Sequence, residues 1–220
     1  MSNQPLKYVV LLSGGLDSTV NLYVAHRGGE VLLALTANYG QRAFKKEAEA
    51  AQVFARDLGV PHKIIDLSWF KDFTNTSLVN ADSDVPTGSD VSIDDMAVSG
   101  KTAERVWVPN RNGILLNIAA GFAEGLGAHA VVPGFNIEEA ATFPDNSSDY
   151  MEALDRSFFF STSSHVKVQC FTDQLNKTEI VKLGRELKID LDQIWSCYFD
   201  QDTRCGECES CQRFERAVKA

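Results

Sequence analysis

Ser13-Gly14-Gly15-Leu16-Asp17-Ser18-Thr19 stands directly after an apolar run and opens a segment of helical period. Two adjacent glycines let a backbone turn tightly and approach an anion closely. The amides of Gly15 through Ser18 then face a phosphate, helped by the positive end of the helix that follows. The hydroxyls of Ser13, Ser18 and Thr19 add donors. No Lys stands in the loop, so it does not follow the Walker-A pattern, and its spacing is not Gly-x-Gly-x-x-Gly. Asp17 would repel a terminal phosphate but suits a Mg²⁺ ion carrying pyrophosphate. An ordinary Gly-Gly turn with Ser18 as helix cap is the alternative. The strand before the loop and the helix after it favour the anion site.

Cys197, Cys205, Cys208 and Cys211 form a second constellation, set apart from the lone Cys170. Each two-residue gap lets a turn aim both sulfurs at one tetrahedral centre. Clustering at one end of the chain fits a metal better than a disulfide scaffold. A structural zinc is the leading reading, with an iron–sulfur cluster or a redox thiol pair as alternatives. Four thiolates leave no open position for substrate, so the expected role is folding. The four histidines are scattered without metal spacing, Asp94-Asp95 reads as a loop charge, and Phe158-Phe159-Phe160 as core or dimer packing.

The elements that must position these residues follow from hydrophobic periodicity. Buried-strand runs cover Tyr8–Leu12, Val31–Ala37, Lys63–Asp66, His129–Val132 and Val166–Cys170. Helical periods cover Ser18–Arg27, Ala43–Leu58, the stretch from Asn112 to about Leu126, a helix from about Asp149, and Lys177–Leu187 capped by Asn176 or Thr178. Alternating strands and helices predict an α/β fold, doubly wound around a mostly parallel sheet. Periodicity fails over residues 68–102, which read as an insert or lid, and again over Gly134–Ser148. Residues 1–190 are expected as one domain and 191–220 as a metal-binding tail.

Composition bounds the function. The chain has 220 residues, 44% hydrophobic and 23% charged, the balance of a globular protein. Its net charge of −9 and the lack of a Lys/Arg run disfavour a stable nucleic-acid partner. No apolar run reaches the roughly 18 residues of a membrane span, and the N-terminus carries no signal-peptide pattern. A cytoplasmic protein acting on a small molecule is expected.

Three further segments carry a resemblance. Tyr39-Gly40-Gln41-Arg42 follows the second strand. Val108-Pro109-Asn110-Arg111-Asn112 opens the helix after the insert, and Lys177 precedes Trp195-Ser196-Cys197-Tyr198. The glycine loop alone resembles the N-type ATP pyrophosphatases, or PP-loop superfamily, with their adenine nucleotide alpha hydrolase-like fold. With the other segments and the four cysteines, the chain from about Tyr8 to Arg216 closely resembles the 7-cyano-7-deazaguanine synthase family of the queuosine pathway. That resemblance implies an ATP-dependent ligase turning 7-carboxy-7-deazaguanine and ammonia into the nitrile preQ0, through an adenylate and an amide. It implies that Leu12, Ser13, Gly14, Gly15, Leu16, Asp17, Ser18 and Thr19, with Gln41, Arg42, Asn110, Arg111 and Asn112, hold ATP. Asp17, Ser18, Arg111 and Lys177 are the implied catalytic residues, and Gly134, Glu138, Glu139, Phe143 and Asp145 the implied substrate contacts. The expected cofactors are ATP, Mg²⁺ and structural Zn²⁺ on the four cysteines. Free ammonia is the expected nitrogen source, and the resemblance implies a homodimer.

The sequence departs from the better-known members. Their loop after the fourth strand carries an Asp and then Ser-Gly-Tyr-Pro-Asp-Cys-Arg. Here Glu139 takes the place of that Asp, Pro144-Asp145 persist, and Asn146-Ser147 replace Cys-Arg. The His that follows Gly-Gln-Arg is Ala43. The missing Arg removes a fork suited to a carboxylate, and Glu138 and Glu139 become candidates to grip a guanine-type N–H edge or a Mg²⁺ ion. The competing readings are a tRNA thiolase or lysidine-type ligase of the same superfamily, and a nucleotide-binding module without catalysis.

Overall fold

Tyr8, Val10 and Leu12 pack on one side of the first strand and Val9 on the other, and all four are buried. A strand apolar on both faces needs a layer on each side. The computed structural model describes residues 5–220 and supplies both layers. Strands β1 (Lys7–Leu11), β2 (Glu30–Asn38), β3 (His62–Asp66), β4 (Ala130–Val132) and β5 (Lys167–Val168) form a parallel sheet in the order β3-β2-β1-β4-β5. The α-helices among the described residues are α1 (Leu16–Gly28), α2 (Phe44–Asp57), α3 (Met96–Val106), α4 (Arg111–Leu126), α5 (Ile137–Ala140), α6 (Ser148–Ser161), α7 (Lys177–Glu186) and α8 (Glu209–Lys219). None of them is long and apolar enough to cross a membrane.

One core joins Val20 and Leu22 of α1, Phe54 of α2, Ile180 of α7 and Phe214 of α8 against the sheet. The other joins Leu116 and Ala119 of α4 and Leu154 and Phe158 of α6. The doubly wound expectation is met. The chain runs outward from β1 to β3 and then returns to β4 on the other side of β1. Strand order therefore reverses between β1 and β4, which opens a crevice beyond their C-terminal ends. The glycine loop leaves β1 and the Pro133-Gly134 turn leaves β4, so both loops meet in that crevice.

The local differences from the expected elements have physical causes. β5 shrinks from Val166–Cys170 to Lys167–Val168 because the chain past Gln169 bonds to α1 instead of the sheet. The Phe171 amide donates to Asn21 Oδ1 at 2.8 Å, and Asn21 Nδ2 donates to Thr172 Oγ1 at 2.6 Å. α3 lies where apolar periodicity fails. Asp95, read as a loop charge, is its cap, accepting from the Ala97 and Val98 amides at 2.9 and 3.3 Å. Polar contacts then anchor α3, with the Ser99 and Thr102 hydroxyls donating to Glu209 at 3.1 and 2.9 Å. The last turn of the cysteine segment continues as α8, whose Cys211, Phe214 and Ala217 face inward. Phe158 is fully buried, while Phe159 and Phe160 beside it are exposed.

Gly134 marks the tightest passage in the crevice. A Cβ placed there would stand 2.5 Å from the Ser18 nitrogen and 2.7 Å from its Cα. Gly134 thus lets the β4 turn touch the first turn of α1. In Gly134→Ala, overpacking against backbone should cost about 1–3 kcal/mol, a fall in Tm of roughly 2–12 °C for a domain of this size. Calorimetry of the two proteins measures it; an unchanged Tm would mean the two turns are not in this contact.

Candidate active site

The glycine loop owes its shape to Gly14 and to Ser18. Gly14 takes φ +75°, and a Cβ on it would lie 2.7 Å from that of Ala50. Ser18 Oγ accepts from the Ser13 amide at 3.2 Å and stands 3.0 Å from Ser13 Oγ, closing the loop on itself. The Gly15 amide is taken by Ser13 Oγ at 3.3 Å. The amides of Leu16 and Asp17, in the first turn of α1, have no intrahelical partner and are free for an anion. The Trp195 amide donates to the Gly14 carbonyl at 2.9 Å, fastening the loop to the segment that leads into the cysteines.

Beneath the loop three distant residues converge. The Lys177 ammonium pairs with Asp17 Oδ2 and, at 2.7 Å, with Glu139 Oε1. Lys177 is the first residue of α7, held there by a capping box of Asn176 and Glu179. Asn136 caps α5 and donates to Asp17 Oδ2 at 3.3 Å. Asp17 Oδ1 is buried without a hydrogen-bond partner. Burial pushes the Asp17 carboxyl up to about 6, outweighing the attraction of Lys177, and Glu139 adds to the rise. Desolvation works against the Lys177 charge, but the two carboxylates hold its pKa above the usual lysine range. One ammonium thus serves two carboxylates, the buried Asp17 and the half-buried Glu139.

A second wall is built from the start of α4. Arg111 lies over the Tyr39 ring at 5.9 Å, donates to Tyr39 Oη at 3.5 Å and gives its Nε to Asn112 Oδ1 at 3.2 Å. Trp107 and Phe143 lie parallel, 6° apart in plane with centroids separated by 5.9 Å. Asp145 follows Phe143 closely and feels the Arg111 charge, although burial still pushes its carboxyl up. Both walls line one cavity of about 280 Å³.

Most of the residues singled out from sequence come together in this cavity. Leu12, Ser13, Gly15, Leu16, Asp17, Ser18, Gln41, Arg111, Asn112, Gly134, Glu139, Phe143, Asp145 and Lys177 all line it. Five lie elsewhere. Gly14 shapes the loop from behind, and Thr19 is buried in α1. Asn110 sits outside, in a left-handed conformation that starts α4. Arg42 turns to the insert, donating to the carbonyls of Asn80 at 2.6 Å, Ala81 at 3.0 Å and Ser83. Glu138 faces the tail, accepting from the Lys177 amide at 2.8 Å and pairing with Arg213 and Arg216 at 3.2 and 2.8 Å. Sequence reasoning passed over Glu47, Trp107 and Asn136 and gave Trp195 no role, yet all four stand beside the loop or cavity. Trp107 precedes Val108-Pro109 directly, and Asn136 stands three residues before Glu139, the spacing of a helix cap.

The sulfurs of Cys197, Cys205, Cys208 and Cys211 all lie within 4.8 Å of one another, and those of Cys205 and Cys211 are 3.9 Å apart. A tetrahedral ion with metal–sulfur bonds of about 2.3 Å needs sulfurs roughly 3.8 Å apart, so the cluster fits a metal. Backbone amides of Phe199 and Cys205 point at the Cys197 sulfur at 3.5 and 3.4 Å, and that of Cys208 points at the Cys205 sulfur at 3.3 Å. Cys197 reaches the cavity wall itself.

A family model described as "Queuosine biosynthesis protein QueC" matches residues 7–220. The chain belongs to the QueC family. It is 59% identical over 212 residues to a 7-cyano-7-deazaguanine synthase of Bdellovibrio bacteriovorus, covering 96% of this chain and 92% of that protein. A 7-cyano-7-deazaguanine synthase of Methanosarcina barkeri is 46% identical, covering 97% and 94%. Two solved structures share the QueC fold at lower identity. A 4-thiouridine synthetase, in complex with RNA and bound ATP, aligns with TM-score 0.50 and 20% identity over 97% of this chain and 50% of that one. An NMN synthetase from Francisella tularensis aligns with TM-score 0.50 and 14% identity over 92% and 71%.

The buried carboxylate makes stability depend on pH. A folded-state pKa of about 6, above the ordinary 3.8, means that Asp17 binds its proton more tightly in the folded protein. The stability this adds is complete below pH 3.8 and is withdrawn as pH rises through 6. Relative to Asp17→Asn, the wild type should lose up to about 3 kcal/mol between pH 4 and 7. Urea unfolding of both proteins across that range reads the difference directly, and a flat difference would place the Asp17 pKa near its ordinary value.

Proposed function

We propose that this QueC-family chain is an ATP-dependent carbon–nitrogen ligase that converts 7-carboxy-7-deazaguanine and ammonia to 7-cyano-7-deazaguanine. The observation that carries the reading is the convergence of Asp17, Glu139 and Lys177 under a phosphate-binding loop, in a chain matched nearly end to end by relatives named for that product. In the proposed sequence a carboxylate oxygen of the base attacks the α-phosphorus of ATP, and pyrophosphate leaves. Ammonia then attacks the acyl carbon, AMP departs with that oxygen, and a proton is released. The amide oxygen attacks the α-phosphorus of a second ATP, a second pyrophosphate leaves, and that oxygen then departs with AMP while the nitrogen gives up both of its protons, leaving the nitrile.

The residues divide this work by their chemistry. The free amides of Leu16 and Asp17 and the hydroxyls of Ser13 and Ser18 bind the pyrophosphate. Lys177, cationic at any working pH, and Arg111 neutralise charge that grows on the leaving group. Glu139, on the far side of the ammonium, takes a proton from the attacking amine in this reading. The unpartnered Asp17 Oδ1 is a hard oxygen donor, and one carboxylate plus substrate phosphates is the usual Mg²⁺ environment. Mg²⁺ would add charge neutralisation on the phosphates. The four cysteines are assigned to a structural Zn²⁺. Family resemblance supports free ammonia, a homodimer and a cytoplasmic setting.

Purified protein incubated with ATP, Mg²⁺, ammonium and 7-carboxy-7-deazaguanine should yield the nitrile with AMP and pyrophosphate by mass spectrometry. AMP formation that stops at the amide would assign a different end product, and no base-dependent ATP cleavage would reject the reading. For the metal, Cys208→Ser should lose stoichiometric zinc and lower Tm by more than roughly 10 °C, since structural zinc supplies about 10–16 kcal/mol in small peptides. Elemental analysis beside calorimetry checks both; full zinc content in the variant would remove Cys208 from the ligand set.

A further inference from the structure

Five carboxylates line the cavity, and four are explained by their neighbours. Asp17 and Glu139 share Lys177, and Glu209 is held by Arg213, Ser99 and Thr102. Glu47 accepts from Gln41 at 2.8 Å and packs behind Gly14. Glu138, which the sequence offers as a grip for an N–H edge, lies outside the cavity with two arginines. Asp145 is different. Its Oδ1 accepts from Asn146 Nδ2 at 3.0 Å, and no other side chain among the described residues makes a well-formed hydrogen bond to the carboxylate. It stands two residues from Phe143, whose ring lies parallel to Trp107.

Asn112 supplies the second observation. It is 7% exposed, and the Arg111 Nε–H fixes its amide by donating to Oδ1. Its Nδ2 is thereby turned away from Arg111, and it meets no acceptor at hydrogen-bonding geometry. The Asn112 side chain leans on the Asp145 carboxylate and favours its charged form, though no well-formed hydrogen bond joins the two. An acceptor and a donor with capacity to spare thus share the cavity wall with a flat aromatic pair.

We propose that Asp145 and Asn112, beside the Trp107–Phe143 pair, form the subsite that reads the guanine-type edge of the substrate base. This rests on the functional reading above and assigns the residues that select its base. A guanine-type ring offers, in a row, a carbonyl acceptor, a ring N–H and an amino group. Asn112 Nδ2 matches the carbonyl, and the Asp145 carboxylate spans the two donors. Adenine presents a ring-nitrogen acceptor where Asp145 needs a donor, so the subsite belongs to the base and not to the nucleotide. The aromatic pair gives a face for the ring to stack on.

Initial rates of AMP formation with 7-carboxy-7-deazaguanine, and with the same base lacking its 2-amino group, test the assignment. In Asp145→Asn the KM for the full base should rise about 10- to 100-fold, the loss of a charge-assisted hydrogen bond, while the KM for ATP stays within about twofold of wild type. The wild type should show a comparable KM increase for the des-amino base, and Asp145→Asn should add little to it. A wild type indifferent to the 2-amino group overturns the subsite even if the variant does not fold. So does an unchanged KM in Asp145→Asn, or an equal loss with both bases. A wild type that forms no AMP with either base overturns the functional reading, and the subsite with it.

Discussion

A single ammonium between two carboxylates, one buried and one half-buried, sets the geometry of this protein's centre. Asp17 is not stable as a buried anion without a cation, Lys177 is buried with it, and the half-buried Glu139 completes the group. The three residues come from α1, α5 and α7, each at the end of the helix nearest the crevice. Joining them brings together the loops after β1 and β4 and the chain returning from β5. Removal of one partner would leave an uncompensated charge, so the arrangement is held as a unit. The same economy leaves a surplus of negative charge and one oxygen without a donor, which is the chemistry of a site waiting for a cationic or proton-donating partner.

Polar contacts also join the insert to the C-terminal segment. Glu209 holds Ser99 and Thr102 of α3, Arg213 reaches from Glu209 to Glu138, and Thr87 pairs with Cys208 across an isolated bridge. The cysteine turn lies between this network and Trp195, which holds the Gly14 carbonyl. Phe214 and Ala217 place α8 in the same core as α1 and α7. The C-terminal residues therefore act as a wall of the crevice as well as a knuckle of cysteines.

Much of this was legible in sequence, for reasons that differ between elements. β1, β2 and α4 are strongly apolar, and their burial on the expected faces follows from composition and period. The glycine loop was legible because strand, turn and helix signals agree, and the cysteine spacing because tetrahedral ligation demands short gaps. α3 was not legible: its stability comes from an Asp cap and hydroxyl contacts to a residue over a hundred positions away, which periodicity does not register. The roles of Arg42 and Glu138 were not legible either. Their side chains point to the insert and the tail, and only tertiary packing decides which of two charged neighbours, Glu138 or Glu139, faces the cavity.

The shortness of β5 has a consequence beyond the site. A parallel sheet with open edges exposes rows of unpaired backbone groups that invite pairing with another chain. Here the edge beside β4 is only Lys167–Val168, too short to template a ladder, and past Gln169 the Phe171 amide is taken by Asn21. The opposite edge, β3, carries His62, Lys63 and Asp66 in its five residues, charge that resists a second strand. The same bonds to α1 that pull the chain away from the sheet thus protect the protein against edge-to-edge aggregation.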